Sequence, residues 1–323
     1  MRCTVLFALL VVVTPVARVA GQSPGDDEAN AQTDVALVDL LSGRHRKGAV
    51  PDPVGKFLVR SSPGLVRAAL EWLSKHQDED GRWDCDEFMK HDPSDDKTGG
   101  PGSPPYDVAM TALALHAFLE AGHGYLDEDK SLYYGLTIWR GIRFLISEQR
   151  DTGALGDPKA KNSLYQHAIA TRALCLALSN TGDDRIRPHA EQAVQYLLRA
   201  QEPGSGWGYH PRPGSDTSHT FWAVLALESA QRAGIEVHDA AWKGALSWID
   251  SVTDPDFGVV GYTKMGESPS RLQGFEDRYP AAYFPSCTAA GLWIRLAAGQ
   301  RPRTKIINSG LTQHCLDWPP TWE

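Results

Sequence analysis

A chain of 323 residues, 42% apolar and 22% charged, is long enough to bury a sizeable core as one domain or one repeat array. Its 32 basic and 40 acidic residues leave a net charge of −8. That balance lacks the basic footprint of a nucleic-acid-binding protein, so nucleic acid is not expected as a partner.

The chain begins with Met1-Arg2, an apolar run over residues 5–13, and small residues at Val19 and Gly21. This reads as a secretory signal peptide over 1–21, and it predicts a periplasmic or secreted protein. The run is too short for a stable membrane-spanning helix, and no later stretch is long and apolar enough for one. Cys3 would leave with the signal. Cys85, Cys175, Cys287 and Cys315 remain, with no Cys-x-x-Cys pair to suggest a zinc ribbon or redox motif. Export permits disulfides between them without demanding any. Cys175 lies inside an apolar helix and reads as a small core residue. Residues 22–61 form a polar linker, with one short amphipathic helix over 34–41.

From residue 62 onward apolar helices alternate. An outer helix over 63–77, with Pro63 in its first turn, ends at Gln77. Gly81 then turns the chain and Trp83 folds back. A loop over 84–105, rich in Asp, Gly and Pro, leads to an inner helix over 107–121, closed by Gly122. The second pair spans 132–149 and 164–180, the third 185–201 and 216–233, and the fourth 239–252 and 283–298. A long loop over 263–278 lies inside the fourth pair. A further outer helix begins near Thr304, and the chain stops at Trp318-Pro-Pro-Thr-Trp322-Glu.

The corner recurs. Gln149 is followed by Gly153 and Leu155, and Gln201 by Gly206-Trp207. In the fourth copy residues 248–252 are followed by Gly258, without the glutamine. From Gln149 to Gln201 is 52 residues, and from Gly182 to Gly234 is again 52. A fixed period with one helix pair per unit is the mark of a helical repeat array.

The Gln-x-x-x-Gly-x-Trp element with its partner helix resembles the QW repeat of the squalene cyclase and protein prenyltransferase superfamily. The resemblance covers residues 62–300. It implies an all-α fold, an α/α toroid, in which outer helices carry the glutamine and inner helices line a central cavity. Closed toroids of the superfamily have five to seven helix pairs, and this chain offers four and a fragment. The resemblance therefore implies an open arc or a C-terminally incomplete domain over 62–323.

Aligning the inner helices on their terminal glycines places Asp107, His167, His219 and Phe284 at one position, fifteen residues earlier. Thr111, Thr171, Ala223 and Thr288 fall at another. Asp107, His167, Asp216 and His219 are the candidate acid–base group on this register, and they leave room for a divalent metal; no other cofactor is expected. The same residues are equally suited to capping helix N-termini. Pro213-Gly-Ser-Asp-Thr-Ser is similar to the Asp-x-Asp-Asp-Thr-Ala of squalene–hopene cyclases, with Ser215 at the acid's place. Ser286-Cys-Thr-Ala-Ala is similar to the Asp-Cys-Thr-Ala-Glu of oxidosqualene cyclases, again with serine for the acid. A serine hydroxyl cannot protonate an alkene or epoxide. No Asp-x-Cys pair falls on an inner helix to hold the zinc of a protein prenyltransferase. The acidic loop from Asp84 to Asp96 reads as solvated, without the spacing of a calcium loop. Arg140, Arg143 and Arg172 read as charges on solvated faces. The expected function is binding of an apolar ligand or protein partner at the cavity rim. The alternative is an enzyme: a terpenoid cyclase, a prenyltransferase, or a lyase using the Asp/His group.

Overall fold

Two kinds of apolar pattern organise the computed structural model of the protein, which describes residues 63–126, 134–267 and 285–316. The expected signal peptide, the linker with its short helix, residues 268–278 of the long loop, Phe284 and the terminal tryptophans lie outside the described residues. Contacts divide the chain into two units, 1–68 with 319–323, and 69–318. Of the first, 63–68 are described, as the opening turns of the first helix.

In chain order the helices are α1 (Pro63–Lys75), α2 (Asp107–Glu120), α3 (Gly135–Ser147), α4 (Ser163–Thr181), α5 (Arg187–Ala200), α6 (Thr217–Arg232), α7 (Asp239–Ser251), α8 (Ser286–Ala297) and α9 (Lys305–Gly310). Short 3-10 turns at Phe88–His91 and Pro104–Tyr106 interrupt the loop before α2. The described residues hold no strand, and their isolated bridges sit at the corners. Each predicted helix that falls on described residues is present, with ends that differ by a few residues.

α3, α5 and α7 bury one stripe: Ile138, Ile142 and Leu145; Ala190, Val194 and Leu197; Ala241, Ala245 and Ile249. That is the i, i+4, i+7 or i+8 spacing of a helix lying on a core. α2, α4 and α6 are buried nearly all round, so each must be covered on several sides. α4 packs between α2 and α6, and α6 packs between α4 and α8. The inner helices therefore stand side by side with the outer ones against them. This all-helical arrangement is consistent with an α/α toroid.

The corners show what the glutamine does. Gln77 Nε2 donates to Gly81 O at 2.9 Å and to Thr137 O at 2.8 Å. Gln149 Nε2 donates to His189 O at 2.8 Å, and its Oε1 accepts from His189 Nδ1 at 2.7 Å. Gln201 Nε2 donates to Ser205 O at 2.8 Å and Ala241 O at 2.9 Å. Thr137, His189 and Ala241 are each the third residue of the next outer helix. One amide thus closes its own corner and ties it to the next helix pair. The indole N–H groups of Trp83 and Trp207 close the outer helices from beneath, on Leu73 O and Leu197 O, each at 2.8 Å.

The corner backbone also reaches its own inner helix. Trp83 N–H donates to Thr111 Oγ1 at 2.9 Å, Trp207 N–H to Thr220 Oγ1 at 3.0 Å, and Val260 N–H to Thr288 Oγ1 at 3.1 Å. Leu155 N–H goes to His167 Nδ1 at 3.1 Å. These bonds correct the glycine-based register. In α6 the equivalent of Thr111 and Thr288 is Thr220, not Ala223, so the third inner helix extends almost one turn further before its glycine. Asp107, His167 and Asp216 then share a position, four residues before their threonines, and His219 does not belong to that row. The fourth corner likewise shifts by one: Thr253, which pairs with Val260 as Gln149 does with Leu155, stands where the glutamine would be.

Candidate functional site

Aligned positions do not become one site. Asp107 Oδ1 accepts from Cys85 N–H at 2.8 Å, and its Oδ2 lies 3.6 Å from Arg82 Nη1. Burial raises its pKa. His167 accepts from Leu155 through Nδ1 and donates from Nε2 to Ala193 O at 3.0 Å. Both its ring nitrogens are satisfied by backbone, and burial lowers its pKa to about 4. It is a neutral strut between the second corner and α5. Asp107 and His167 therefore bond separate loops, and the four-residue group does not assemble.

Asp216 and His219 do meet. Asp216 caps α6 in extended backbone, and its Oδ1 accepts from Ser218 N–H, Ser218 Oγ and His219 N–H at 2.9–3.0 Å. Its Oδ2 accepts from His219 Nδ1 at 2.6 Å. With Nδ1 engaged there, Nε2 is the free end of the ring, and this buried atom has no partner. The pair is almost sealed, at 1% and 2% exposure. Around His219 stand the rings of Tyr165 at 3.5 Å and Tyr209 at 4.4 Å. The Tyr165 hydroxyl bonds Ser218 Oγ, and Tyr209 and Tyr262 join their hydroxyls at 2.8 Å. Burial pushes the pKa of Tyr165 and Tyr262 upward, so both stay neutral phenols. Cys287, near by on α8, is pushed up to about 12, by burial first and then by the charge of Asp216. On its own it is therefore a thiol, without the thiolate character that direct nucleophilic attack requires.

Backbone bonds position the tyrosines. Tyr209 O accepts from Leu164 N–H at the start of α4, and Tyr262 O accepts from Thr217 N–H at the start of α6. Each lies two residues past its corner residue, Trp207 or Val260. The sequence signal was a Gly-Tyr step at both places, Gly208-Tyr209 and Gly261-Tyr262, which the candidate group did not include. Ser215, in the acid's place, bonds Ser205 Oγ at 3.1 Å.

One other cluster has the composition of a cation site. Carboxylate oxygens of Asp84, Asp86 and Asp107 lie within 4.8 Å of one another. The loop is not solvated there: Asp84 is buried, and it accepts from Asp86 N–H, Glu87 N–H and Lys90 Nζ. Burial opposes its ionisation, yet those bonds bring its pKa down to about 2. Lys90 and Arg82 already supply the countercharge a metal would bring. Open hollows of about 350 and 440 Å³ lie at Asp78–Lys90–His91 and at Leu119–His123–Asn180, away from the dyad. No described helix is long and apolar enough to cross a membrane.

No protein-family model matches the chain. Among curated proteins it is similar to the drimenyl diphosphate synthase of Streptantibioticus cattleyicolor, 28% identical over 161 residues, covering 48% of this chain and 27% of that protein. It is also similar to a probable squalene–hopene cyclase of Sinorhizobium fredii, 24% identical over 270 residues, covering 78% of this chain and 35% of that protein. These relatives point to a terpenoid cyclase-like superfamily. The chain spans 27% to 35% of their lengths.

Proposed function

We propose that this is an exported squalene cyclase-like repeat protein, an α/α toroid or an arc of one, of four to five helix pairs. In this reading it binds an apolar ligand at the rim formed by Tyr165, Tyr209, Tyr262 and the Asp216–His219 dyad, without cyclase chemistry. The observation that carries the reading is the bonding of Asp216. Its two oxygens accept four hydrogen bonds, three of them from the cap of its own helix. Such bonding commits both oxygens to the cap of α6 and to the His219 ring. Alkene protonation needs a carboxylic acid free to hand its proton to the ligand, and the neighbouring position offers only Ser215. Prenyl transfer in the manner of the zinc enzymes lacks its Asp-x-Cys ligand pair: Pro285 stands two residues before Cys287. The two long loops, over 84–105 and 263–278, are the natural specificity elements.

One observation favours a second reading. His219, oriented by a carboxylate and unpartnered at Nε2, has the arrangement of a general acid–base, as in an isomerase or lyase. Titration with squalene, followed by aromatic fluorescence and product analysis, separates the two. Binding reads as saturable quenching that weakens at least tenfold in His219→Ala, with no change in the recovered hydrocarbon. Conversion of the ligand that is lost in His219→Ala would replace the binding reading with the enzymatic one. Squalene quenching unaltered in His219→Ala would remove the rim from either. For export, the mature protein begins after Gly21; recovery of intact Met1 in the cell body refutes that part.

A further inference from the structure

Arg172 belongs to α4 and was expected on a solvated face. It is instead 1% exposed, because α4 is covered by both α2 and α6. Its Nη2 pairs with Glu120, the last residue of α2. Its Nε and Nη1 have no partner. Buried donors left this way cost about 1–3 kcal/mol each unless something occupies the space beside them.

His116, one turn before Glu120 on α2, is also 1% exposed. Its Nε2 lies 3.1 Å from Ile169 O and must donate to it. Nδ1 is therefore the lone-paired nitrogen, and it too is buried without a partner. Burial and the charge of Arg172 hold His116 neutral, which keeps this arrangement of the proton. The Trp222 ring of α6 is stacked on His116 at 6.4 Å. Three successive inner helices thus contribute two unfilled donors, one unfilled acceptor and an aromatic face.

These demands select a chemistry. An anion suits Arg172 but meets the lone pair of His116 and the carboxylate of Glu120. A cation is repelled by Arg172. A hydroxyl both accepts and donates. We propose that Arg172, His116 and Trp222 form a binding site for the hydroxyl group of an aliphatic alcohol. The oxygen accepts from Arg172, the hydroxyl proton goes to His116 Nδ1, and the hydrocarbon lies against the indole. The site shares no residue with the Asp216–His219 rim.

The full chain titrated with 1-octanol, octyl methyl ether and octane, read by tryptophan fluorescence, tests this. The ether accepts but cannot donate. The alcohol is expected to bind at least tenfold more tightly than the ether, and His116→Phe and Arg172→Met each reduce that ratio to below twofold. Because Arg172→Met unpairs Glu120, the wild-type protein supplies a second reading. The His116 Nδ1 nitrogen resonance, assigned by its loss in His116→Phe, shifts with octanol and not with the ether. Equal affinity for alcohol and ether, or a resonance that octanol leaves in place because water alone fills the gap, overturns the proposal.

Discussion

Gly153→Ala is the substitution that tests the packing of the corners most sharply. Gly153 has φ +88°, in the left-handed region, where a side chain costs about 1 kcal/mol. An added Cβ would press into Gln192 O and stand 2.9 Å from Gln192 C, both backbone atoms of α5. Helix backbone cannot swing aside as a side chain can, so the corner must lift away from α5. That lift stretches the Gln149–His189 pair, whose two bonds of 2.8 and 2.7 Å are each worth about 1 kcal/mol. The sum is about 3 kcal/mol. Gly182→Ala is the control: φ is +64°, but its Cβ would meet nothing within 4 Å, so only the strain of about 1 kcal/mol applies. Both substitutions restrict the unfolded chain equally, so that contribution cancels in the comparison. Urea unfolding of the two variants should differ by about 2 kcal/mol, and their melting temperatures by roughly 4–8 °C for a domain of this size. Equal losses in the two would refute the claim that the second corner rests directly on the next outer helix.

Two further perturbations probe the same framework. His167 has a folded pKa of about 4, depressed by burial from an ordinary value near 6.5. The unfolded state therefore takes up its proton first as pH falls. Stability from this residue is intact above about pH 6.5 and is lost progressively down to about pH 4, by about 3 kcal/mol in all. His167→Asn should show a shallower loss between pH 7 and 4 by that amount; parallel pH profiles would deny His167 its role as a neutral strut. Trp207→Phe removes the indole bond to Leu197 O and part of a fully buried side chain, and should cost about 2–3 kcal/mol in urea unfolding. A cost below about 0.5 kcal/mol would mean that the indole does not brace the end of α5.

The helices were legible because their causes are local. The stripe on α3, α5 and α7, the all-round apolar character of α2, α4 and α6, and the glycines that end them are all properties of short stretches. Three inner helices close the same way: His123, Ile235 and Gln300 N–H reach back to Phe118, Ala230 and Arg295 O past a left-handed glycine. Register across helices was not legible from those stops. A helix can gain most of a turn before its glycine without changing its pattern, and α6 does so. The corner-to-threonine bond is what keeps register, and it depends on where a loop lands, not on how long a helix runs. Arg172 was misplaced for a related reason: its exposure depends on α2 and α6 together, which no window along α4 contains.

The slip explains why two members of the candidate group meet and two do not. Asp107, His167 and Asp216 hold one structural position, at or before the first turn of an inner helix, where the chain has just left its corner. At that position a side chain can reach the corner loop, the next outer helix or its own helix cap. Asp107 takes the first route, His167 the first and second, and Asp216 the third. Only the third leaves a ring nitrogen aimed elsewhere, because a cap residue three positions before a histidine bonds that histidine's backbone and ring together. A dyad here thus follows from Asp-x-x-His at a helix start, with no need for cross-repeat alignment. The same rule separates two histidines: His167, with backbone at both nitrogens, is structural, whereas His219 keeps an unpartnered Nε2.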